Sequence, residues 1–466
     1  MQLEIKQHYD ALAPERDKYR ARNKYYYSLL EQQYRYLIPE GKKVLEVGCS
    51  TGDLLNTLKP SLGVGIDLSG KCIAIARQKY PSLKFYESTI SDFKTTEKFD
   101  YIILSGLLGE LEDIQGFLES LRTFCTPDTR IVIEYYSYFW QYILKAGEKI
   151  RAKIPQKLQN WITHNDICNF LLLAGFDPIK SERCILFPRY IWGVSYLLNK
   201  FVAKLPVINA LTLNHFVVAR AILPPEKEFS VSIIVPCRNE KGNIPAAISR
   251  TPQFGLKQEF IFVEGGSKDG TYEEVERVIR ENPDKKITLL KQKGIGKGDA
   301  VRLGFEHAQY DILMILDADL TVAPEELPKF YQAIKEGHGE FINGCRLVYP
   351  MEDEAMRFLN LLGNKFFSLF FTWLLGQRFK DTLCGTKVMF RKQYLDLVAN
   401  RKYFGDFDPF GDFDLIFGAI KLNLKVVELP IRYKSRSYGT TQIQRFRHGW
   451  LLLQMCAFAM RKIKFI

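Results

Sequence analysis

The chain has 466 residues, 47% of them hydrophobic and 25% charged, which supplies apolar material for two or three packed cores and excludes a disordered polypeptide. A formal charge of +12 points to an anionic partner: nucleic acid, an acidic membrane surface or a phosphorylated substrate. The nine cysteines show no CxxC pair and no paired ligand spacing, which argues against a disulfide framework or structural zinc and reads as reduced thiols in a cytosolic protein.

The opening stretch, MQLEIKQHYDALAPERDKYRARNK, lacks the apolar core of a signal peptide, and no run reaches about 18 uninterrupted apolar residues, so no membrane span is expected. Residues 1–38 read as helical. Their dense aromatic set (Tyr9, Tyr19, Tyr25, Tyr26, Tyr27, Tyr34, Tyr36) either packs on the next domain or covers a ligand pocket. After a turn at Pro39-Glu40-Gly41, the strand VLEVG runs into CSTGDLLNTL, which has the period of a helix. A strand, a glycine turn and a helix N-terminus together aim backbone N–H groups at one sheet edge. A second strand, 64–67, ends on Asp67, about twenty residues further on, where an acid can bond ribose hydroxyls. A nicotinamide fingerprint G-x-G-x-x-G fails here, because its positions hold Gly48, Ser50 and Asp53.

The segment resembles instead the class I S-adenosylmethionine-dependent methyltransferases, whose motif E/D-x-G-x-G-x-G reads Glu46-Val47-Gly48-Cys49-Ser50-Thr51-Gly52. The resemblance implies a Rossmann-like domain over about residues 1–222, with Glu46, Gly48, Ser50 and Gly52 around the methionine part of S-adenosylmethionine and Asp67 on the ribose. Two positions depart from the pattern: Ser50 replaces the middle glycine, and the adenine-side acid reads Thr89, with Asp92 three residues later. FDYIILS and RIVIEYYS continue the fold as strands around a helix in GLLGELEDIQGFLESL; WITHNDICNFLLLAGF supplies a late helix and HFVVARAI the last strand. His164, Glu110, Glu134 and Tyr135 are candidates for the base that serves a methyl acceptor, although a His before a helix also suits a cap. A non-catalytic module that binds S-adenosylmethionine or acts as a scaffold is the competing reading.

Residues 223–229, rich in Pro and charge, form a linker, and a fresh strand, VSIIVP, opens the second half. That strand empties into Pro236-Cys237-Arg238-Asn239-Glu240, and EFIFVE empties into a loop from Gly265 to Thr271. A flexible loop with one cation, Lys297, follows at 294–300. Then ILMILDADLT, 312–321, reads as a buried strand that delivers Asp317 and Asp319 to the carboxyl edge of a parallel sheet. Two hard oxygen donors so placed can share a divalent cation that holds a nucleotide diphosphate as it leaves. An isolated D-x-D is as often a solvated turn; four such loops in this order favour the chemistry.

This half, 230–466, resembles the family 2 glycosyltransferases of the GT-A fold, and among them the polyprenyl-phosphate (dolichyl-phosphate) mannose and glucose synthases. The match rests on V-P-x-R-N-E at 235–240, G-S-x-D-G-T at 266–271, G-x-G-K-G-x-A at 294–300, D-A-D at 317–319, D-x-x-C-G-x-K at 381–387 and E-x-P at 428–430. It implies that Pro236, Arg238, Glu240, Glu264, Ser267, Asp269 and Lys297 meet the nucleotide. It also implies that Asp317 and Asp319 hold Mg2+ or Mn2+, and that Arg346 and Asp381 face the sugar and acceptor. Glu264-Gly265 replaces a paired Asp, and Thr441-Gln442 replaces a Ser-Lys pair whose cation Arg436 or Arg445 could supply. Asp412 and Asp414 stand where inverting relatives carry a general base, and equally suit a helix N-terminus.

From residue 429 onward there are eight Lys or Arg and no acid. Along 358–376, Asn360, Asn364, Ser368 and Thr372 make one polar stripe on an apolar helix, which suits a helix lying in a membrane interface. The apolar run 449–460, flanked by Arg445, Arg447, Arg461, Lys462 and Lys464, would extend about 18 Å against a hydrocarbon core of about 30 Å and so lie flat. A homo-oligomer interface or a core helix is the alternative. Aromatics here alternate with aliphatics rather than with Arg and Lys, which argues against nucleic acid. The sequence therefore predicts an α/β protein: a Rossmann-like methyltransferase domain fused to a GT-A nucleotide-diphospho-sugar transferase. Its expected reaction is metal-dependent, inverting transfer of a hexose to a polyprenyl phosphate at the inner membrane face, beside methylation of an unnamed acceptor. The alternative is transfer to a sugar hydroxyl in cell-surface polysaccharide assembly.

Overall fold

The computed structural model describes residues 2–157, 160–223, 227–349, 358–400, 411–434, 436, 438 and 453–465. The chain divides into two compact units, Met1–Leu223 together with Phe465–Ile466, and Pro224–Lys464.

The first unit is built on a seven-stranded sheet of β1 (Lys43–Val47), β2 (Leu62–Asp67), β3 (Lys84–Glu87), β4 (Tyr101–Ser105), β5 (Arg130–Tyr136), β6 (Phe176–Cys184) and β7 (Asn214–Ala221). Its order is β3-β2-β1-β4-β5-β7-β6, parallel except for β7, which runs antiparallel to both its neighbours. Reversal at β1/β4 creates the crevice where such sheets take ligands. The alternation of side chains puts Leu45, Val47, Ile102, Leu104, Ile131 and Ile133 on one face, packed by Leu118, Ile167 and Leu171 from helices Ile114–Leu121 and His164–Leu173. The opposite face carries Ser105 and Glu134, paired across β4 and β5, and Glu46 on β1, which pairs with Ile103 two residues before Ser105. Helix Lys24–Leu37 packs there, with the Tyr34 ring 5.1 Å from that of Phe216 and Tyr26 Oη accepting from Asn214 Nδ2 at 2.9 Å.

The second unit holds another seven-stranded sheet: β8 (Val231–Cys237), β9 (Gln258–Glu264), β10 (Lys286–Lys291), β11 (Ile312–Ile315), β12 (Phe341–Cys345), β13 (Lys387–Phe390) and β14 (Val426–Pro430), in the order β10-β9-β8-β11-β13-β12-β14. β8 to β11 are parallel, and β13 runs against β11 and β12. β11 is buried along its whole length because both its faces are covered, which is why ILMI reads as an uninterrupted apolar run. It stops at Ile315, short of Asp317, and the acids sit in the loop beyond, where Leu320 adopts φ +52°.

Helix Leu327–Lys335 presents Leu327, Phe330, Tyr331 and Ile334 to this core at helical spacing. All nine cysteines are free thiols, buried except for the half-buried Cys168. Among the described residues no helix is long and apolar enough to cross a membrane. Residues 441–452, with Thr441, Gln442, Arg445, Arg447 and the start of the 449–460 apolar run, lie outside the described residues.

Phe330 is fully buried in the second core, so Phe330→Ala leaves a cavity and is expected to lower the stability of that unit by about 3–5 kcal/mol. Urea unfolding followed by circular dichroism checks this; an unchanged midpoint would contradict the packing.

Candidate functional site

In the first unit the loop after β1 wraps the carboxyl edge. Gly48 and Gly52 take φ of +77° and +78°, and a Cβ on Gly52 would lie 2.6 Å from Cζ of Phe85, so glycine is required there. Ser50 adopts φ +49°, a conformation glycine would accept without strain. Its N–H donates to Asp67 Oδ2 at 2.8 Å, and Ser69 N–H donates to Oδ1 at 2.8 Å, so the β2 acid is oriented by the β1 loop. Asp53 opens the short helix Asp53–Thr57 and accepts from Lys79, Tyr80 and Thr51, placing a carboxylate at its positive end.

Burial, reinforced by Asp53 and Asp67, pushes the Glu46 carboxyl up to about 8, and burial likewise raises Asp67. Glu46 Oε2 and Ser50 Oγ are buried with no protein partner. A buried acid and hydroxyl left unsatisfied beside an oriented Asp67 fit a ligand with cationic and hydroxyl groups, as S-adenosylmethionine has.

Glu134 lies on the same face at the end of β5. Burial pushes it up to about 7, against hydrogen bonds from Asn214 and Ser105. Glu110 is taken by Tyr9 Oη and Gln156, while His164 and Tyr135 bond each other at 3.3 Å on the opposite face. The cap of helix His164–Leu173 is made by Thr163 and Asp166, not by His164. Asp92 bonds Thr89 at 2.7 Å and lines a cavity of about 300 Å3 with Lys84, Tyr86 and Lys94, a cavity whose lining includes neither Glu46 nor Asp67.

Sequence reasoning did not single out Asp10. Its carboxylate accepts from Ser69 Oγ at 2.6 Å and Lys71 N–H at 3.1 Å, tying helix Gln2–Leu12 to the same edge as Asp67. A lone acid in a polar helix gives no signal of that contact.

In the second unit the loops after β8 and β9 lock together. Asn239 N–H donates to Ser267 Oγ at 2.9 Å, Glu240 N–H to Thr271 Oγ1 at 3.0 Å, and Lys241 N–H to Asp269 Oδ2 at 3.2 Å. Glu264 accepts from Ser267 N–H, holding the loop at the position where the paired Asp is absent. Pro236 is half-buried in β8 and Arg238 is exposed at its end.

Lys297 Nζ lies 2.5 Å from Asp317 Oδ1, and an Arg436 guanidinium nitrogen lies 2.7 Å from Asp319 Oδ2 and another 3.6 Å from Glu240 Oε1. Burial opposes charge at Lys297, yet Asp317, Asp412 and Asp319 outweigh it and raise the ammonium; the same pair holds Asp317 below the usual carboxylate range. Tyr438 reaches Asp269 at 3.3 Å, so Arg436 and Tyr438 both lie along the loops that carry the acids.

Arg346, at the end of β12, makes a two-pronged pair with Asp381 at 2.7 and 2.8 Å, and this cation keeps Asp381 low despite burial. Asp412 and Asp414 occupy the first turn of helix Asp412–Lys421, both buried. Asp412 is paired at 2.7 Å with Lys387, itself buried. Gly411 takes φ +75°, and a Cβ there would lie 2.4 Å from Gly298 Cα, so glycine at 411 lets this helix reach the Lys297 turn.

Asp317 and Asp319 thus offer hard oxygens of the kind Mg2+ and Mn2+ prefer, currently answered by protein cations. Among the described residues no group of three or more His, Cys, Asp or Glu could hold a metal unaided, so further ligands would come from substrate phosphate. In helix Phe358–Leu375 the Ser368 and Thr372 hydroxyls both bond Phe379 O, so this part of the polar stripe turns inward, while Phe366 and Leu369 are exposed; the side chains of Asn360 and Asn364 lie outside those described.

Residues 232–398 match the family model described as Glycosyl transferase family 2. The Glycosyltransferase AglJ of Haloferax volcanii is 30% identical over 225 residues, spanning 48% of this chain and 69% of that protein. The chain belongs to glycosyl transferase family 2. Residues 19–181 match a Methyltransferase domain model, so this family 2 glycosyltransferase also carries a methyltransferase domain. The Dolichol-phosphate mannosyltransferase of Pyrococcus furiosus is 30% identical over 246 residues, covering 50% of this chain and 67% of its own length. The Polyprenol monophosphomannose synthase of Mycolicibacterium smegmatis is 26% identical over 217 residues, covering 45% and 80%.

A Cβ at Gly385 would land on both Asp317 Oδ2 and Lys297 Nζ. Gly385→Ala should therefore displace the pair and lower kcat/KM for sugar transfer about 100-fold with an unchanged melting temperature, read with a labelled nucleotide-sugar. Full activity would contradict the placement.

Proposed function

We propose that the second unit transfers a hexose, with inversion, from a nucleoside-diphosphate sugar to a polyprenyl phosphate at the inner face of a membrane. The observation that carries this reading is the arrangement of Asp317 and Asp319 at the carboxyl edge of the sheet, each held by one cation, beside the interlocked loops of Glu240 and Asp269. Mg2+ or Mn2+ between Asp317 and Asp319 would neutralise charge on the departing diphosphate. Lys297 and Arg436, displaced from the carboxylates, would turn to the same phosphates. Arg346, fixed by Asp381 and lying 5.2 Å over the Tyr433 ring, would bind sugar or acceptor phosphate.

A phosphate acceptor is favoured over a sugar hydroxyl by the state of Asp412. A hydroxyl nucleophile must lose a proton to a base, whereas a lipid phosphate attacks already ionised. Asp412 is buried against Lys387, an arrangement that suits a structural anchor better than a free base. The names of the Pyrococcus and Mycolicibacterium relatives, both polyprenyl-phosphate mannose transferases, support the same acceptor class. The outward Phe366 and Leu369 on helix Phe358–Leu375 suit contact with the bilayer that would hold it.

For the first unit, we propose S-adenosylmethionine binding at Glu46, Ser50 and Asp67 and transfer of its methyl group to an acceptor deprotonated by Glu134. A carboxyl near 7 matches a base working at neutral pH.

Asp317→Asn is expected to lower transfer of labelled sugar to polyprenyl phosphate by at least about 100-fold in the presence of Mn2+, while the protein stays folded. Retained activity would overturn the metal assignment, and faster transfer to an oligosaccharide than to lipid phosphate would overturn the acceptor. For the methyl cofactor, the Glu46 carboxyl must ionise to meet a cationic ligand, and it is protonated below about 8. The ratio of wild-type to Glu46→Gln affinity for S-adenosylmethionine, measured by calorimetry, should therefore rise by up to about tenfold per pH unit toward 8 and flatten above it. A ratio independent of pH would contradict this.

A further inference from the structure

Residues 185–213, between β6 and β7, form an insertion whose polarity is inside-out. Helix Val194–Lys200 buries its polar residues, Ser195 at 0% and Asn199 at 7% exposure, and exposes its apolar ones, Val194 at 50%, Tyr196 at 53% and Leu197 at 55%. The inward side chains fasten the backbone of the loop. Ser195 Oγ accepts from Ile191 N–H and donates to Arg189 O, while Asn199 Oδ1 accepts from Leu186 and Phe187 N–H and its Nδ2 donates to Phe187 O. A soluble helix buries the other face; here ordinary amphipathic folding is reversed with its hydrogen bonds satisfied.

The exposed side extends beyond that helix. Tyr190, Ile191, Trp192, Leu205 and Val207 stand in solvent, Trp192 at 87%. Trp140 Nε1 donates to Leu211 O at 2.8 Å, which joins to this surface the segment after β5, where Phe139, Tyr142 and Ile143 are also exposed.

The charge pattern selects the occupant. Residues 185–213 contain no acid, and Arg189 and Lys200 flank the aromatics, while Lys204 is buried. Interfacial aromatics with a fringe of cations and no anions match the headgroup region of an anionic bilayer, whereas protein interfaces are depleted in Lys. The geometry points to this insertion as a membrane-docking surface of the methyltransferase unit, with an anionic lipid bilayer as its partner. β5 ends and β7 begins beside it, so the surface lies at the same edge of the sheet as Glu134 and faces the methyl site toward acceptors carried in the bilayer. It is independent of the bilayer contact proposed for helix Phe358–Leu375, which belongs to the other unit.

The test uses the full chain with vesicles of phosphatidylcholine and phosphatidylglycerol in which part of the phosphatidylcholine is brominated. Fluorescence quenching in wild type is expected to exceed that in Trp192→Phe, the difference reporting burial of Trp192 among acyl chains. Arg189→Gln and Lys200→Gln should each weaken binding to these vesicles about fivefold, an effect absent with phosphatidylcholine alone. A chain that binds vesicles with Trp192 unquenched would overturn this proposal while leaving the glycosyl-transfer reading standing. A wild-type dimer in lipid-free solution that Trp192→Ser converts to monomer would also overturn it, assigning the surface to a second copy of the chain.

Discussion

The second unit depends on how it neutralises carboxylates gathered at the end of its sheet. Asp317, Asp319 and Asp412 converge there because three separate segments, after β11, around Lys297 and at the start of helix Asp412–Lys421, are drawn to one place by parallel pairing and by the contact of Gly411 with Gly298. Burying ionised acids is costly unless each has a partner, and here the partners are Lys297, Arg436 and Lys387. The result is a site that is anionic in its framework and balanced by cations: Lys387 is buried with Asp412, whereas Lys297 and Arg436 are partly exposed on long side chains that, on the proposed reading, would turn to a phosphate.

The first unit meets the same problem with protons. Among the described residues no Lys or Arg is hydrogen-bonded to Glu46 or Glu134, and burial raises them to about 8 and 7. Near neutral pH these acids can be neutral or charged according to what binds beside them. One chain thus holds two carboxylate sites of opposite design: one whose acids are each paired with a Lys or Arg, the other whose acids are raised by burial and poised to ionise for a ligand or give up their charge to a proton.

Much of this was legible in the sequence because the signals are local. An apolar run ending in two acids, a glycine turn after VLEVG, and strand-to-loop transitions at 236–240 and 265–271 carry their physics within a few residues. β6 was not legible, since DPIKSER holds a proline and charges and forms an edge strand with a register shift at Pro178/Lys180. The pairing of Asp412 with Lys387 and of Asp319 with Arg436 joins residues far apart in the chain, and composition cannot reveal which cation meets which acid. The polar stripe at Ser368 and Thr372 was visible, but its direction was not: it faces Phe379 rather than water. Of the tyrosines in the first helices, Tyr34 packs on Phe216, as the packing reading expects, and Tyr26 accepts from Asn214, which also donates to Glu134.

The most direct test of the cation exchange is Mn2+ binding followed by electron paramagnetic resonance in the presence of a panel of nucleoside diphosphates, comparing wild type with Asp319→Asn. The account predicts that one nucleoside diphosphate promotes tight Mn2+ binding by wild type and that the variant loses it. Equal binding by the variant, or none by wild type with any nucleotide, would contradict it.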